Sequence, residues 1–361
     1  MFQKSITARF ALGLICAAAG VAQAQYGVHN LVSDGYTWAP HIDHNLVNPW
    51  GISESSGGPF WVSNNGSATS TLYNTAGTPL SLIVAVPGAP TGQVFNGSGD
   101  FKASNGTTSG VSRFIFASED GTISGWAPSV SFTSAFVIAS KADAIYKGLA
   151  IGSTGGSNFL YASNFSSGMV DIFDGTNSYV SSFTDATLPA GYAPFNVQNL
   201  NGSLYVTYAL KGSGHDELHG AGLGFVDRFD MSGNLISRVG SNGALNAPWG
   251  VAIAPSTFGA FRGDLLVGNF GDGTINAFDL TTNTFAGTLT DKLNNPLWID
   301  GLWGLQFGNG GIGGHAHDLY FTAGPVEESH GLFGVVTTVP APSALLVMGF
   351  GILARVRRRK G

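Results

Sequence analysis

The chain has 361 residues, of which 16 are basic and 22 acidic for a formal net charge of −6; 11% are charged, 43% hydrophobic and 12% aromatic, and 53 are glycine. That much aromatic and aliphatic material excludes a disordered polypeptide, glycine without a period of three excludes collagen, and the lack of an apolar run of about 18 residues excludes a polytopic membrane protein. The length suits one large domain or two ordinary ones.

Lys4 and Arg9 precede an apolar stretch from Phe10 to Ala19, and Ala22-Gln23-Ala24 follows as a small-x-small cleavage pattern. Residues 1–24 therefore read as a secretory signal peptide, with signal peptidase cutting before Gln25. A buried N-terminal helix is the competing reading. The one cysteine, Cys16, lies inside this segment. The exported chain is then expected to have neither disulfides nor thiolate metal sites, and its stability rests on packing and backbone hydrogen bonding.

From there a pattern of three short strands recurs six times. The copies open at Pro49-Trp50-Gly51, Thr91-Gly92-Gln93, Lys147-Gly148-Leu149, Pro194-Phe195-Asn196, Pro248-Trp249-Gly250 and Gly301-Leu302-Trp303. A second strand follows in each, such as Phe60-Trp61-Val62-Ser63-Asn64 or Phe159-Leu160-Tyr161-Ala162-Ser163-Asn164, and a third often ends in Phe-Asp, as at Phe173-Asp174 and Phe278-Asp279. The steps between copies are 42, 56, 47, 54 and 53 residues, the range of β-propeller blades. Asp120-Gly121, Asp174-Gly175, Asn201-Gly202 and Asp272-Gly273 supply the positive φ of tight hairpins, and no helical periodicity intervenes. Fourth strands are expected at Ser178–Phe183, Leu235–Val239 and Phe285–Leu289. The sixth copy has no room for one after Thr338, so Val28–Val32 is expected to close the ring from the N-terminus, which removes the exposed sheet edges of an open ring. The reading is all-β, a six-bladed β-propeller over residues 25–338; a β-sandwich or jelly roll is the competing architecture.

The chain ends with Val339-Pro340-Ala341-Pro342-Ser343, an apolar run from Ala344 to Ala354, and Arg355-Val356-Arg357-Arg358-Arg359-Lys360-Gly361. Eleven apolar residues make a short span, and the basic cluster belongs on the cytoplasmic side. Residues 339–361 resemble the PEP-CTERM sorting signal of Gram-negative bacteria, with Pro-Ala-Pro where that signal has Pro-Glu-Pro; a plain single-pass anchor reads the same way. The resemblance implies a precursor tethered to the inner membrane, cleavage by an exosortase-type enzyme, and release to the cell surface or extracellular exopolysaccharide matrix. The two end segments hold 7 of the 16 basic residues and none of the 22 acidic ones, which leaves the middle near −13. That charge disfavours nucleic acid and anionic lipid as partners and suits cations or neutral sugars.

In a four-stranded meander, the loop leading into each first strand shares a face with the loop between the second and third strands. That rim would collect His41, Asp43, His44, Asp143 and Asp300 from the first set. The second set adds Asn64, Glu119, Asn164, Asn269, Asp272, Glu327, Glu328 and His330, and a long hairpin adds His215, Asp216 and His219. Asn64, Glu119, Asn164, Asn269 and Asp300 are the candidate ligands for a hard cation such as Ca²⁺, which would polarise a lactone or ester carbonyl. Against this, Asn and Asp at strand ends commonly cap turns. The other rim residues are candidate ligand contacts. His215 and His219 lack zinc-protease spacing, and Gly308-x-Gly310-x-x-Gly313 has no helix behind it to make a dinucleotide site. No Gly-x-Ser-x-Gly elbow or P-loop is present. Trp50, Trp249 and Trp303, at blade starts, are expected to pack around the channel.

Three segments are distinctive: Asn246-Ala247-Pro248-Trp249-Gly250, Gly263-Asp264-Leu265-Leu266-Val267-Gly268-Asn269-Phe270-Gly271-Asp272-Gly273, and Ile299-Asp300-Gly301-Leu302-Trp303-Gly304-Leu305 with Phe321-Thr322-Ala323-Gly324-Pro325. With His215-Asp216 and Gly224-Phe225-Val226-Asp227, they resemble a family of secreted bacterial propeller proteins carrying PEP-CTERM-like tails. No activity is assigned to that family, so the resemblance implies fold and address and transfers no catalytic residue. More distantly the blades resemble NHL repeats and gluconolactonase/regucalcin propellers, which hold a divalent cation at the channel mouth with acidic and Asn side chains. Two functions follow as expectations: a non-catalytic surface protein that binds a glycan, peptide or protein partner, and a Ca²⁺-dependent lactonase or esterase.

Overall fold

A computed structural model describes residues 25–339. Within it the chain folds into six antiparallel sheets arranged as the blades of a propeller. The expected signal peptide and the expected sorting tail from Pro340 on lie outside the described residues. The first blade runs Pro49–Glu54, Phe60–Asn64, Thr69–Tyr73 and Pro79–Ala85 from axis to periphery, and the second Pro90–Phe95, Phe114–Ser118, Thr122–Trp126 and Phe136–Ser140. The third runs Tyr146–Thr154, Ser157–Asn164, Met169–Asp174 and Tyr179–Phe183. The fourth runs Tyr192–Leu200, Ser203–Lys211, Phe225–Phe229 and Leu235–Ser241, and the fifth Pro248–Ile253, Leu265–Asn269, Ile275–Asp279 and Thr284–Thr288. All six innermost strands start within two residues of the positions expected from the repeat.

The sixth blade confirms the closure expected from the sequence. Leu302–Phe307, Leu319–Ala323 and Leu332–Val339 form its inner three strands, and Gln25–Ser33 adds the fourth, antiparallel to Leu332–Val339 from Gln25↔Val339 to Ser33↔Leu332. The short strand His41–Ile42 then pairs in parallel with the end of that strand. Several short elements were not foreseen: the strands His41–Ile42 and Glu217–Leu218, a 3-10 turn at Gly259–Phe261, and a two-stranded ribbon of Lys102–Ser104 and Ser109–Val111 inside the second blade. The ribbon accounts for the long 56-residue step.

The turn chemistry held at Gly121, Asn201-Gly202 and Gly273, all at positive φ. It differed at Asp174-Gly175. There the left-handed residue is Asn177, and the Asp174 carboxylate accepts the N–H groups of Thr176 and Ser178. Gly175 serves close packing instead, since a Cβ on it would lie 2.8 Å from the Asp100 carboxylate.

Among the described residues the buried apolar side chains fall into seven clusters. Six fill the wedges between neighbouring blades, such as Trp61, Leu72, Phe114 and Trp126 between the first and second. The seventh lies on the axis and contains Trp50, Phe195, Trp249 and Trp303. Burial falls from axis to rim: Phe60–Asn64 is wholly buried, while the outer strand Tyr179–Phe183 exposes Tyr179 and Val180. The innermost strands can converge because a glycine recurs at the same place in five of them. A Cβ on Gly304 would meet the Trp50 carbonyl at 2.6 Å, and one on Gly92 would collide with the Gly148–Leu149 backbone. In the fourth blade Asn196 takes this position and donates to the Trp249 carbonyl at 2.9 Å.

Candidate functional site

The axial tryptophans form a plug near the face that carries the predicted rim. Trp303 stacks on Trp50 at 3.6 Å between ring centroids and on Phe270 at 3.9 Å, with Trp249 edge-on to both tryptophans. The sequence put these side chains around the channel, and the structure closes the channel with them. Trp249 donates to the Lys147 carbonyl at 3.0 Å and Trp303 to Asn48 Oδ1 at 3.1 Å.

A polar network lies over this plug. Lys147 is buried; its Nζ sits 2.7 Å from Glu119 Oε1 and 4.9 Å from the Trp50 ring centre. The other Glu119 oxygen accepts from Asn65 at 3.0 Å, and Asn48 donates to Glu328 Oε2 at 2.6 Å. Burial pushes the Glu328 carboxyl above its ordinary range, and the Asn48 bond opposes this. Glu328 reaches the network from a strained segment: Val326, Glu327 and Glu328 are three consecutive non-glycine residues at positive φ (56°, 49° and 64°). Such a run is costly, above all at a β-branched residue, and persists where the surroundings hold it. The Asp300 carboxylate does so by accepting the Val326 N–H at 3.0 Å.

The five candidate cation ligands sit in different blades, each with partners of its own. Asn64 donates to Thr69 and Thr71, Asn164 to Asp171, and Asn269 to the Ala244 carbonyl and Asp272. Asn164 Oδ1 accepts the Ile145 N–H, whereas Asn64 Oδ1 and Asn269 Oδ1 have no donor. Glu119 belongs to the lysine pair and Asp300 to the strained turn. Among the described residues no three His, Asp or Glu side chains form a group that could hold a metal ion.

The remaining rim residues divide between turn chemistry and open surface. Asp43 accepts from Tyr73 at 2.8 Å, and Asp272 accepts the Thr274 N–H. His44 pairs with the Asp34 carbonyl, and His330 with the Asp34 carboxylate at 2.8 Å while stacking on Tyr36. His219 lies edge-on to Phe270 and bonds Glu217 at 3.1 Å, which raises its pKa. His41 is half-buried in its short strand, whereas His215, Asp216 and Glu327 are exposed. Asn48, Asn65 and the pairing of Lys147 were missed by sequence reasoning. They lie in different blades from their partners, and no spacing along the chain brings them together.

The channel's other mouth, at the exit ends of the innermost strands, is open. Below the plug is a cavity of about 20 Å³ lined by residues from all six blades, enough for a single water. It leads towards a 280 Å³ pocket whose walls include Ser53, Glu54, Phe95, Ile151, Gln198 and Gln306.

No protein-family model matches the chain. Uncharacterized protein R648 of Acanthamoeba polyphaga mimivirus is 32% identical over 336 residues, covering 87% of this chain and 81% of the viral one. Uncharacterized protein L690 of the same virus is 31% identical over 334 residues, covering 87% and 86%. The chain belongs to the family of these proteins. These relatives are viral, whereas the sequence resemblance pointed to a bacterial secreted family. Among solved structures, the family's fold resembles a streptogramin B lyase (TM-score 0.52, 12% identity, 88% of this chain and 98% of that one). It also resembles the PQQ-bound aldose sugar dehydrogenase of Streptomyces coelicolor (0.53, 14%, 88% and 99%). At these identities the likeness is one of fold, and a single fold hosts many chemistries.

Proposed function

We propose that the protein is a non-catalytic recognition propeller, exported and held for a time at the inner membrane by its tail, which presents the plugged face to a glycan, peptide or protein partner at the cell surface or in the extracellular matrix. The observation that carries this reading is the left-handed run Val326–Glu328, which delivers a carboxyl into the polar network above the aromatic plug. Backbone strain that is kept rather than relieved points to a site in use. Exposed apolar side chains stand around it, including Tyr36 and Ile42 on the loop leading into the first blade and Leu218 on the long hairpin. Because the plug seals the axis, this face offers a contact surface rather than a cleft. The export half of the reading rests on the sequence of residues 1–24, with its basic start, apolar stretch and small-x-small pattern.

Two measurements test it. Glycan and peptide arrays probed with the purified protein are expected to give a ligand whose binding falls at least tenfold in Glu328→Gln and Ile42→Ser with thermal stability unchanged. N-terminal sequencing of the exported form is expected to start at Gln25. Stoichiometric Ca²⁺ in the purified protein, together with lactone hydrolysis, would replace this reading with the Ca²⁺-dependent hydrolase. That reading requires Glu119 to leave Lys147 and Asp300 to leave the strained turn.

A further inference from the structure

The geometry points to a second site, on the opposite face from the plug: the pocket at the open mouth of the channel binds one neutral polyhydroxylated ring, either a free monosaccharide or the terminal sugar of a chain. Its volume of 280 Å³ suits one small molecule. Its polar walls are neutral amides, a hydroxyl and one carboxyl, with no lysine, arginine or histidine among the lining residues. An anionic ligand would find no counter-charge there.

The polar atoms of the wall divide into two groups. Those of Gln93 and Asn199 are committed to the protein: Gln93 donates to the Gly51 and Trp61 carbonyls and accepts from Ser63, and Asn199 donates to the Ile151 carbonyl at 2.8 Å. Others are not committed. Ser53 Oγ and Glu54 Oε2 are buried without a hydrogen-bond partner. Gln198 uses its carbonyl oxygen to accept the Val251 N–H at 3.3 Å, and its amino group makes no hydrogen bond among the described residues. Gln306 hydrogen-bonds the Glu54 carboxyl, whose pKa burial raises to about 8. Buried polar groups without partners are costly unless something bonds them.

The wall thus offers the Ser53 hydroxyl and the Gln198 amino group, with the Glu54–Gln306 pair beside them, groups able to donate, accept or both. Sugar hydroxyls do the same. Phe95 and Ile151 add apolar wall for the C–H face of a ring. The innermost strands of the first, second, third, fourth and sixth blades hold these groups on rigid sheet, so little ordering is needed on binding.

The test titrates the purified protein with methyl α-glucoside, methyl α-galactoside, methyl α-mannoside and myo-inositol, using calorimetry and saturation-transfer NMR. Glucuronate and glucosamine serve as charged counterparts and maltotriose as a chain. At least one neutral probe is expected to bind 1:1, with its matched charged counterpart at least tenfold weaker. Ser53→Ala removes a hydroxyl that bonds nothing in the protein, so it is expected to keep the wild-type melting curve and weaken binding roughly tenfold. Gln306→Leu is expected to weaken binding likewise, with some loss of stability because the Glu54 carboxyl loses its partner. Binding of monosaccharides alone assigns a free sugar, and binding of maltotriose as well assigns a chain terminus. The proposal is overturned if no neutral probe saturates, if the charged sugars bind as tightly, or if both variants bind like the wild type. None of these outcomes touches the plugged face, where Glu328→Gln reports separately.

Discussion

Gln25 pairs with Val339 across the outer edge of the sixth blade. The residue expected to follow signal cleavage and Val339, which precedes Pro-Ala-Pro in the sequence, therefore lie side by side, and one strand pair holds the ring shut. Tyr26 anchors that pair. It is buried, its ring lies 4.9 Å from Phe258, and its hydroxyl donates to the Phe258 carbonyl at 3.2 Å. Tyr26→Ala is expected to lower unfolding free energy by about 3–5 kcal/mol, read from the urea midpoint at constant slope. Deleting residues 25–33 leaves Leu332–Val339 as an open edge, and light scattering is expected to show association. A monomer of wild-type stability after that deletion would disprove closure by this strand.

Lys147 is a buried cation with one carboxylate partner, Glu119 at 2.7 Å. Breaking such a pair from one side leaves an uncompensated charge. Lys147→Ala is expected to cost about 3–5 kcal/mol, whereas Lys147→Met with Glu119→Gln removes both charges and is expected to recover most of it. Equal losses in the single and double variants would mean that the ammonium contributes by packing on Trp50 alone.

The fold was legible because propeller physics repeats. Each blade must bury both faces against its neighbours, so apolar strands and turn residues recur at a spacing that survives sequence drift, and the missing fourth strand after Thr338 could be inferred from a shortage of chain. The rim was legible in part for the same reason: loop positions follow from strand order. What loops do was not. Asn64, Asn164 and Asn269 look alike in sequence, yet each amide serves its own hairpin in a different blade. The open mouth was invisible, because Ser53, Gln198 and Gln306 are ordinary strand residues whose proximity depends on ring closure. The strained run at Val326–Glu328 had no signal, since neither valine nor glutamate favours positive φ.

Gly92 provides a test of how tightly the innermost strands approach. Its backbone is not in the left-handed region, so only contact forbids a side chain, and that contact is with the Gly148–Leu149 backbone of the next blade. Gly92→Ala is expected to destabilise by at least about 1–3 kcal/mol. Gly99 is exposed, has no heavy atom near its Cβ position and also lacks a positive φ. Gly99→Ala is expected to be neutral or to stabilise by up to about 1 kcal/mol through the unfolded chain. Similar melting shifts in the two variants would show that the strands have room to part.

Glu54 links the open mouth to pH. Its carboxyl is pushed from 4.5 up to about 8, chiefly by burial, with Gln306 and the Asn309 backbone offsetting only part. The folded protein therefore keeps a proton that the unfolded chain releases between those two values. The group's contribution to stability is full below about pH 4.5 and is lost as pH rises through about 8. The displacement sets an upper bound of about 5 kcal/mol, and partial solvent access reduces it to about 1–2 kcal/mol. Glu54→Gln stays neutral throughout. It is expected to match the wild type in urea midpoint at about pH 5 and to exceed it at about pH 9 by the equivalent of that 1–2 kcal/mol. Parallel pH profiles for the two proteins would mean that the carboxyl ionises as freely as one in water, and the neutral wall at the mouth would then carry a negative charge at pH 7.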